Sequence, residues 1–444
     1  MKKLNLLSVL VFATLFIAQS MVMDSRSVAG ISPAGNSVTY TKQIAPLFRQ
    51  RCEECHRPGG VAPMSFLTYE ETRPWARAIR EKVVTRAMPP FHATGALGRY
   101  HDDPRLSDEE IALIARWVDS GAPRGSAPKK TEKDQPRTST ANWINGQPDL
   151  ILNVRQPYRL RRNDSDQYAF FVYDHVFTED TWIRSIVTRP GNAKVVHHAN
   201  THVVPPLFKV PENGYIEGAF EPSARGTVMI AGWVPGTNDV MLPAGTAVRI
   251  PKGMRFGIQI HYAPTEEETL DQTSLGIYFA DGRVDKSLRM LAGDRRDLQI
   301  PPGDSNYALT AKRTFDTDGL IRFFHVHMHL RGKSYAFRFT YPDGRVETPF
   351  EVPNYDFNWQ RSYILTEPMR VPKGTQVEFI GTYDNSARNR YNPDPTATIR
   401  WGEKTTDEMM QGRLFWESVD ERLNLSVRKG RVVASSETGG KTGR

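Results

Sequence analysis

Between Asp149 and Arg428 the chain repeats one kind of segment. Short apolar or alternating runs (DLILNV, QYAFFVYDHVF, WIRSIV, KVVHHANTHVV, FGIQIHY, SLGIYFA, LIRFFHVHMHL, SYAFRFTY, TQVEFIGTYD) recur, punctuated by proline, glycine, asparagine and aspartate. Such runs suit strands, whose side chains alternate between two faces, and Pro342-Asp343-Gly344-Arg345 is a turn between two of them. Helical periodicity is absent throughout. The pattern predicts antiparallel β-sandwich architecture. Its length exceeds one sandwich of roughly 100 residues, so two are expected, over 146–288 and 289–428, dividing near Asp285 to Asp297. Residues 429–444 are expected to be a disordered tail.

The residues ahead of this region read as a small all-α domain over 21–121. Gln43 to Arg51 suits a helix, and Thr68-Tyr69-Glu70-Glu71 and Ser107-Asp108-Glu109-Glu110 are capping boxes. The second opens a pattern through Ile111, Ile114, Ala115 and Val118 to Gly121 as C-cap. From Ala122 to Asn145 the chain turns polar and rich in Pro, Lys, Ser and Thr, which predicts a linker over 122–145. The first twenty residues, MKKLNLLSVLVFATLFIAQS, carry two lysines, an apolar run and small residues at Ala18 and Ser20, the pattern of an export signal cleaved near Ser20, with an uncleaved membrane anchor as the alternative. No later apolar run is long enough to span a bilayer. A periplasmic or secreted protein is expected, with no stable membrane insertion after cleavage. The net charge of +8 is spread without a dense Lys/Arg tract, which argues against nucleic acid as a partner.

The chain has two cysteines, both in Cys52-Glu53-Glu54-Cys55-His56, so the rest of it folds without disulfides. This C-x-x-C-H spacing lets two thiols form thioethers to the vinyl groups of haem c while the adjacent imidazole of His56 ligates the iron. A redox dithiol needs no histidine, and a zinc site would want a second pair of thiols. The sixth ligand is assigned to Met88, in Ala87-Met88-Pro89-Pro90, with Met64 and His92 as alternatives.

Of eleven histidines, His56, His92 and His101 belong to the helical part, and the other eight are not scattered. His197, His198 and His202 share VVHHANTHVV, and His261 ends FGIQIHY. His325, His327 and His329 alternate in FFHVHMHL and should emerge on one face of a strand. His175 stands alone. Clustered imidazoles on strands point to Cu, Zn, Fe or Ni; hydrogen-bonded structural histidine is the reading for His175 and the alternative for His202. Adjacent His197 and His198 would point to opposite faces of a regular strand, so if both bind one ion the backbone must bulge there or the strand must end.

His197-His198, His261-Tyr262, His327-Met328-His329 with Lys333, and Thr406-Asp407-Glu408-Met409 follow one another in an order that resembles the copper type II, ascorbate-dependent monooxygenases, the family of peptidylglycine alpha-hydroxylating monooxygenase and dopamine beta-hydroxylase. The resemblance covers residues 149 to 425. It is closer still to bacterial members with a cytochrome c module fused ahead, which share the stretches found here at Arg57 to Phe66 and Asn392 to Pro395. It implies two jelly-roll sandwiches side by side and two copper ions. His197, His198 and His261 would hold an electron-storing copper; His327, His329 and Met409 would hold the copper that meets O₂. Zinc rarely takes methionine, so Met409 is the discriminating ligand.

The implied activity is an O₂-dependent monooxygenase hydroxylating an organic substrate, a small molecule or peptide. Electrons would come from an ascorbate-like reductant or a redox protein, with the haem relaying them to copper. The alternative is a non-catalytic electron-transfer or copper-binding protein. Peptide-amidating members place an arginine two residues before H-x-H and a tyrosine four after the ligand methionine. This chain has His325 and Arg413 there, which argues against peptide amidation. His325 and His202 are candidates for the pocket wall or for orienting the ligands.

Overall fold

The computed structural model describes residues 38–126, 143, 145–163, 165–222, 225–236 and 240–433. The expected export signal, most of the linker and residues 434–444 lie outside them. The described chain is mostly antiparallel sheet with a few short helices. None of its helices is long and apolar enough to cross a membrane.

Two five-stranded sheets enclose the first core. One runs in the order Leu150–Asn153, Ser274–Phe279, Thr181–Arg189, Thr246–Ile250, Lys286–Ser287, antiparallel except for its last pair. The other runs Tyr215–Glu217, Gln167–Val172, Arg255–Tyr262, Val196–Val204, Val228–Trp233. Phe171, Ile183, Phe256, Ile258, Ile260, Leu275 and Ile277 fill the space between them. On Arg255–Tyr262 the core takes Phe256, Ile258, Ile260 and Tyr262, so strict alternation turns Gln259 and His261 to the opposite face.

The second core lies between two four-stranded sheets. Their orders are Arg289–Ala292, Gln411–Ser418, Gly319–His327, Ser362–Val371 and Tyr307–Thr314, Gln376–Tyr383, Gly332–Thr340, Val346–Val352. Aromatic side chains dominate here, with Phe324 stacked on Phe350 at 4.5 Å and Phe337 edge-on to Phe379 at 4.9 Å. Such ring pairs add roughly 0.5–1.5 kcal/mol each beyond the area they bury.

Both expected capping boxes form, Thr68 ahead of Tyr69–Thr72 and Ser107 ahead of Asp108–Asp119. The helix after the first box is shorter than a single run: it passes through a 3₁₀ turn at Arg73–Trp75, where Pro74 interrupts, before resuming as Ala76–Val84. Phe48, Phe66, Ile79, Ile114 and Trp117 make a small separate core. Between Phe91 and Asp103 the chain leaves that core and lies along the second sandwich. Thr94 N donates to Glu351 O at 2.9 Å, His101 N donates to Ile364 O at 2.8 Å, and Tyr100 is buried against Phe91, Phe350 and Tyr363.

Two expectations need correction. The linker's first residues belong to the helical part, because Tyr40 N and Thr41 N donate to Pro123 O and Arg124 O. The tail expected over 429–444 is ordered over its described residues, 429–433. Residues Leu425–Arg428 and Arg431–Val432 form a hairpin turning at Gly430, whose φ of +79° is open to glycine, and Gly430 pairs with the first sandwich through Trp182 N and Ala280 O.

Candidate metal centre

The strand Val196–Val204 carries a bulge at the point where the paired histidines sit. Val196 pairs with Tyr262 but His198 pairs with His261, leaving His197 as the extra residue. Core positions accordingly run Val196 then Ala199, so both His197 and His198 turn away from the core. His197 Nδ1 and His198 Nδ1 come within 3.1 Å, and their rings lie 4.7 and 4.9 Å from that of His261. One donor atom from each of the three lies within 4.8 Å of the others, a set that could hold a metal ion. His261 Nε2 lies 3.1 Å from Asp166 Oδ2, without the alignment of a hydrogen bond. Asp166 also accepts from the Thr405 hydroxyl. Burial works to raise the Asp166 carboxyl, but His261 and Thr405 outweigh it and hold it below its ordinary value.

A second bulge sets the other histidines. It falls between Ile321 and Phe323, after which Phe324, Val326 and Met328 enter the core while His325, His327 and His329 share the opposite face. The strand itself ends at His327, and His329 lies in the turn that follows. The rings of His327 and His329 are 5.0 Å apart. His327 Nδ1 meets Gln360 Oε1, and His329 Nδ1 meets the carbonyl of Asp407 at 3.2 Å. As donors at Nδ1, both imidazoles leave Nε2 as the free lone pair. Glu408 anchors this corner by accepting from His329 N, Arg331 N and Met409 N, which positions Met409 beside the histidines.

The two sets meet. His198, His261, His327, His329 and Met409 line one cavity, and the rings of His198 and His327 are 5.7 Å apart. Phe357 joins them, stacked on His197 at 4.7 Å and edge-on to His329 at 6.1 Å. Burial, then neighbouring imidazoles, pushes His197 down to about 3 and His198 and His327 well below the usual value; burial lowers His329 to about 4. These rings are therefore neutral at physiological pH, with lone pairs available to a metal. Glu403 also faces the cavity, hydrogen-bonded by Gln259 at 3.2 Å, and burial lifts it to about 7. Behind Met409, Gln411 Nε2 lies 3.4 Å from the sulfur, and Arg413 contacts Gln411, Met229 and Asp294.

The remaining sequence candidates separate into groups. His202 lines the same cavity and meets Thr227 Oγ1 at 3.1 Å. His325 faces a neighbouring cavity, with Ser362 Oγ at 3.3 Å. His175 packs edge-on to Phe177, and Lys333 binds Ser305 and Asn306. In the helical part, His56 stacks on Phe66 at 4.2 Å and its Nδ1 meets the Met64 carbonyl at 3.3 Å. That contact leaves Nε2 free and puts the Met64 backbone on the Nδ1 side of the ring. Cys52 and Cys55 are free thiols, and burial pushes Cys52 up to about 12, far from a reactive thiolate. Met88 is 37% exposed at the end of the Ala76–Val84 region, while His92 is close to Asp356 and Arg361 of the second sandwich.

Asp166, Phe357, Gln360 and Glu403 were not singled out by sequence reasoning. Asp166, Phe357 and Gln360 meet the histidines from far along the chain, Glu403 shares their cavity, and none belongs to a short motif.

No family model matches this chain, and no curated protein matches it. Solved structures similar to it include a peptide-N(4)-(N-acetyl-beta-D-glucosaminyl) asparagine amidase, 9% identical over 62% of this chain and 98% of that one, with a TM-score of 0.27. The STIV MCP is 9% identical over 55% and 98%, with a TM-score of 0.19. The infectious bursal disease virus VP2 subviral particle is 11% identical over 66% and 87%, with a TM-score of 0.15. Scores this low carry no argument about fold or function.

Proposed function

We propose that this chain is an exported haem c and dicopper oxidoreductase, a monooxygenase of the copper type II, ascorbate-dependent class, with jelly-roll sandwiches behind a cytochrome c module. The observation that carries the reading is the single cavity where the imidazoles of two histidine sets meet the Met409 thioether. His197, His198 and His261 would hold one copper, and His327, His329 and Met409 the other. The donors fit: neutral imidazoles and one soft sulfur suit a metal cycling between Cu(I) and Cu(II), and zinc rarely takes a thioether. Copper bound there supplies one-electron transfer and the activation of O₂.

The protein's own part is to aim and protect. Gln360 Oε1 and the Asp407 carbonyl fix the His327 and His329 tautomers, and the Asp166 carboxylate sits beside His261 on its Nε2 side. Phe357 packs between the sets and limits water. The overall reaction turns a C–H bond, O₂, two electrons and two protons into an alcohol and water. Glu403, near half-protonated at neutral pH, stands on the wall as a proton source. The electrons come from an ascorbate-like reductant or a redox protein.

Haem c would attach through Cys52 and Cys55 with His56 as iron ligand, its Nε2 left free by the contact at Met64. Met88 is the proposed sixth ligand, since Met64 has its backbone behind His56 and His92 is drawn to the second sandwich. The Cys55 sulfur is 3.2 Å from where a Cβ on Gly236 would lie, so the motif borders the first sandwich.

Metal analysis of the purified chain should find about two coppers and one iron, the counts these ligand sets hold. Met409→Leu should abolish substrate-dependent O₂ consumption and leave the haem spectrum unchanged. Two zincs, or copper content indifferent to His197→Ala, would overturn the reading.

A further inference from the structure

A second cavity opens beside the first. His325 and Met229 stand at the divide: Met229 lines both cavities, and His325 shares a face with His327 while lining the second. Its wall is mostly apolar, formed by Ile186, Ile230, Trp233, Val248, Phe323 and Phe415. Phe323 and Phe415 stack at 4.2 Å into one flat surface.

The charged groups at the rim are unequal. Arg361 is only 8% exposed; its Nη2 donates to the Asp102 carbonyl at 3.1 Å, and its Nε is buried without a hydrogen-bond partner. Arg184 Nε, on the same cavity, is also buried without one. Asp102 is the acidic side chain among the described lining residues, and it is exposed. A buried guanidinium with an unmet donor is costly, and a carboxylate meets it with a charge-assisted hydrogen bond.

We propose that this cavity binds an amphipathic carboxylic acid. Its carboxylate lies on Arg361, its apolar body lies along Phe323, Phe415 and Ile230, and its far end points past Met229 to the histidine cavity. Under the monooxygenase reading, on which only this last consequence rests, hydroxylation falls on a carbon remote from the carboxylate. The binding itself requires no metal.

The test is calorimetry on the full-length purified chain with decanoate, decan-1-ol and decyltrimethylammonium as probes. Decanoate should bind at one per chain, about tenfold or more tighter than either comparator, the size of effect one charge-assisted contact gives. Arg361→Gln should erase that preference while leaving decan-1-ol binding within about twofold, and Arg361→Lys, which keeps the charge, should retain part of it. Ile230→Trp, which fills the cavity, should abolish binding of all three. Equal affinity for the three headgroups, or a carboxylate preference that survives Arg361→Gln in a variant with an unchanged thermal midpoint, overturns the proposal. Decanoate that binds as expected, yet yields no hydroxylated product in the copper-loaded, reduced chain, refutes the oxidoreductase reading and leaves the binding site standing.

Discussion

His202 and His325 belong to neither ligand set, yet burial holds both down to about 3. An imidazole whose folded-state pKa is depressed binds its proton first in the unfolded chain, so acid favours unfolding. The stability these two residues contribute is whole above about pH 6.5 and is lost as pH falls from there toward 3, by about 1.4 kcal/mol per pH unit for each. Urea midpoints should therefore drop steadily between pH 7 and pH 5, and His325→Gln should make the slope shallower. A flat profile across that range would contradict the burial described. Asp166 acts on metal affinity instead. Asp166→Asn removes the carboxylate that holds His261, and affinity at the three-histidine set should weaken roughly 10–100-fold, the range for such orienting partners. A chelator competition that finds no change would sever Asp166 from the site. Of these residues the histidines were legible in the sequence, because their clustering and alternation are local. Asp166 and Gln360 were not, since a carboxylate 95 positions before His261 leaves no local trace.

The decisive elements are two strands and their bulges. In each, one extra residue shifts the alternation so that apolar side chains stay in the core while histidines cluster outside it. The His197 bulge was foreseeable, because two adjacent side chains cannot otherwise share a face. The bulge at Arg322 was not, because FFHVHMHL alternates regularly from Phe324 onward. It turns Arg322 to Glu417, which accepts from Arg322 Nε and Nη2 at 2.8 Å each and from Thr246 Oγ1 of the first sandwich at 2.9 Å. Glu417 is 1% exposed while the Arg322 side chain keeps about a quarter of its surface in water. With that discount, Glu417→Ala should cost about 2 kcal/mol, read by thermal or urea unfolding. A loss below about 0.5 kcal/mol would mean that solvent replaces the pair.

At the scale of the whole molecule, the cavity exists because the outer face of one sandwich closes on that of the other. Gln259 reaches Glu403, Tyr168 and Asp166 reach Thr405, and Met229 touches Arg413 across that junction. The helical part is tied on by the strap from Phe91 to Asp103. Tyr100 is buried in it, and Tyr100→Ala should cost about 3 kcal/mol through the cavity left among Phe91, Phe350 and Tyr363. Limited proteolysis of that variant should cut between Val84 and Ser107 faster than in the parent chain. Unchanged cleavage there would show that the hydrogen bonds at Thr94 and His101 hold the strap alone.

The sequence by itself determined the strands, the helix caps and which side chains share a face, because alternation, capping and turn chemistry act over a few residues. It also determined the two histidine sets as separate groups on separate stretches of chain. Only the tertiary structure decided that these sets meet at one cavity, that His325 faces a second, and that a segment from between two helices packs into a sheet core. Those outcomes depend on which buried faces meet, and the free energy of that meeting is spread over contacts between residues far apart in the chain.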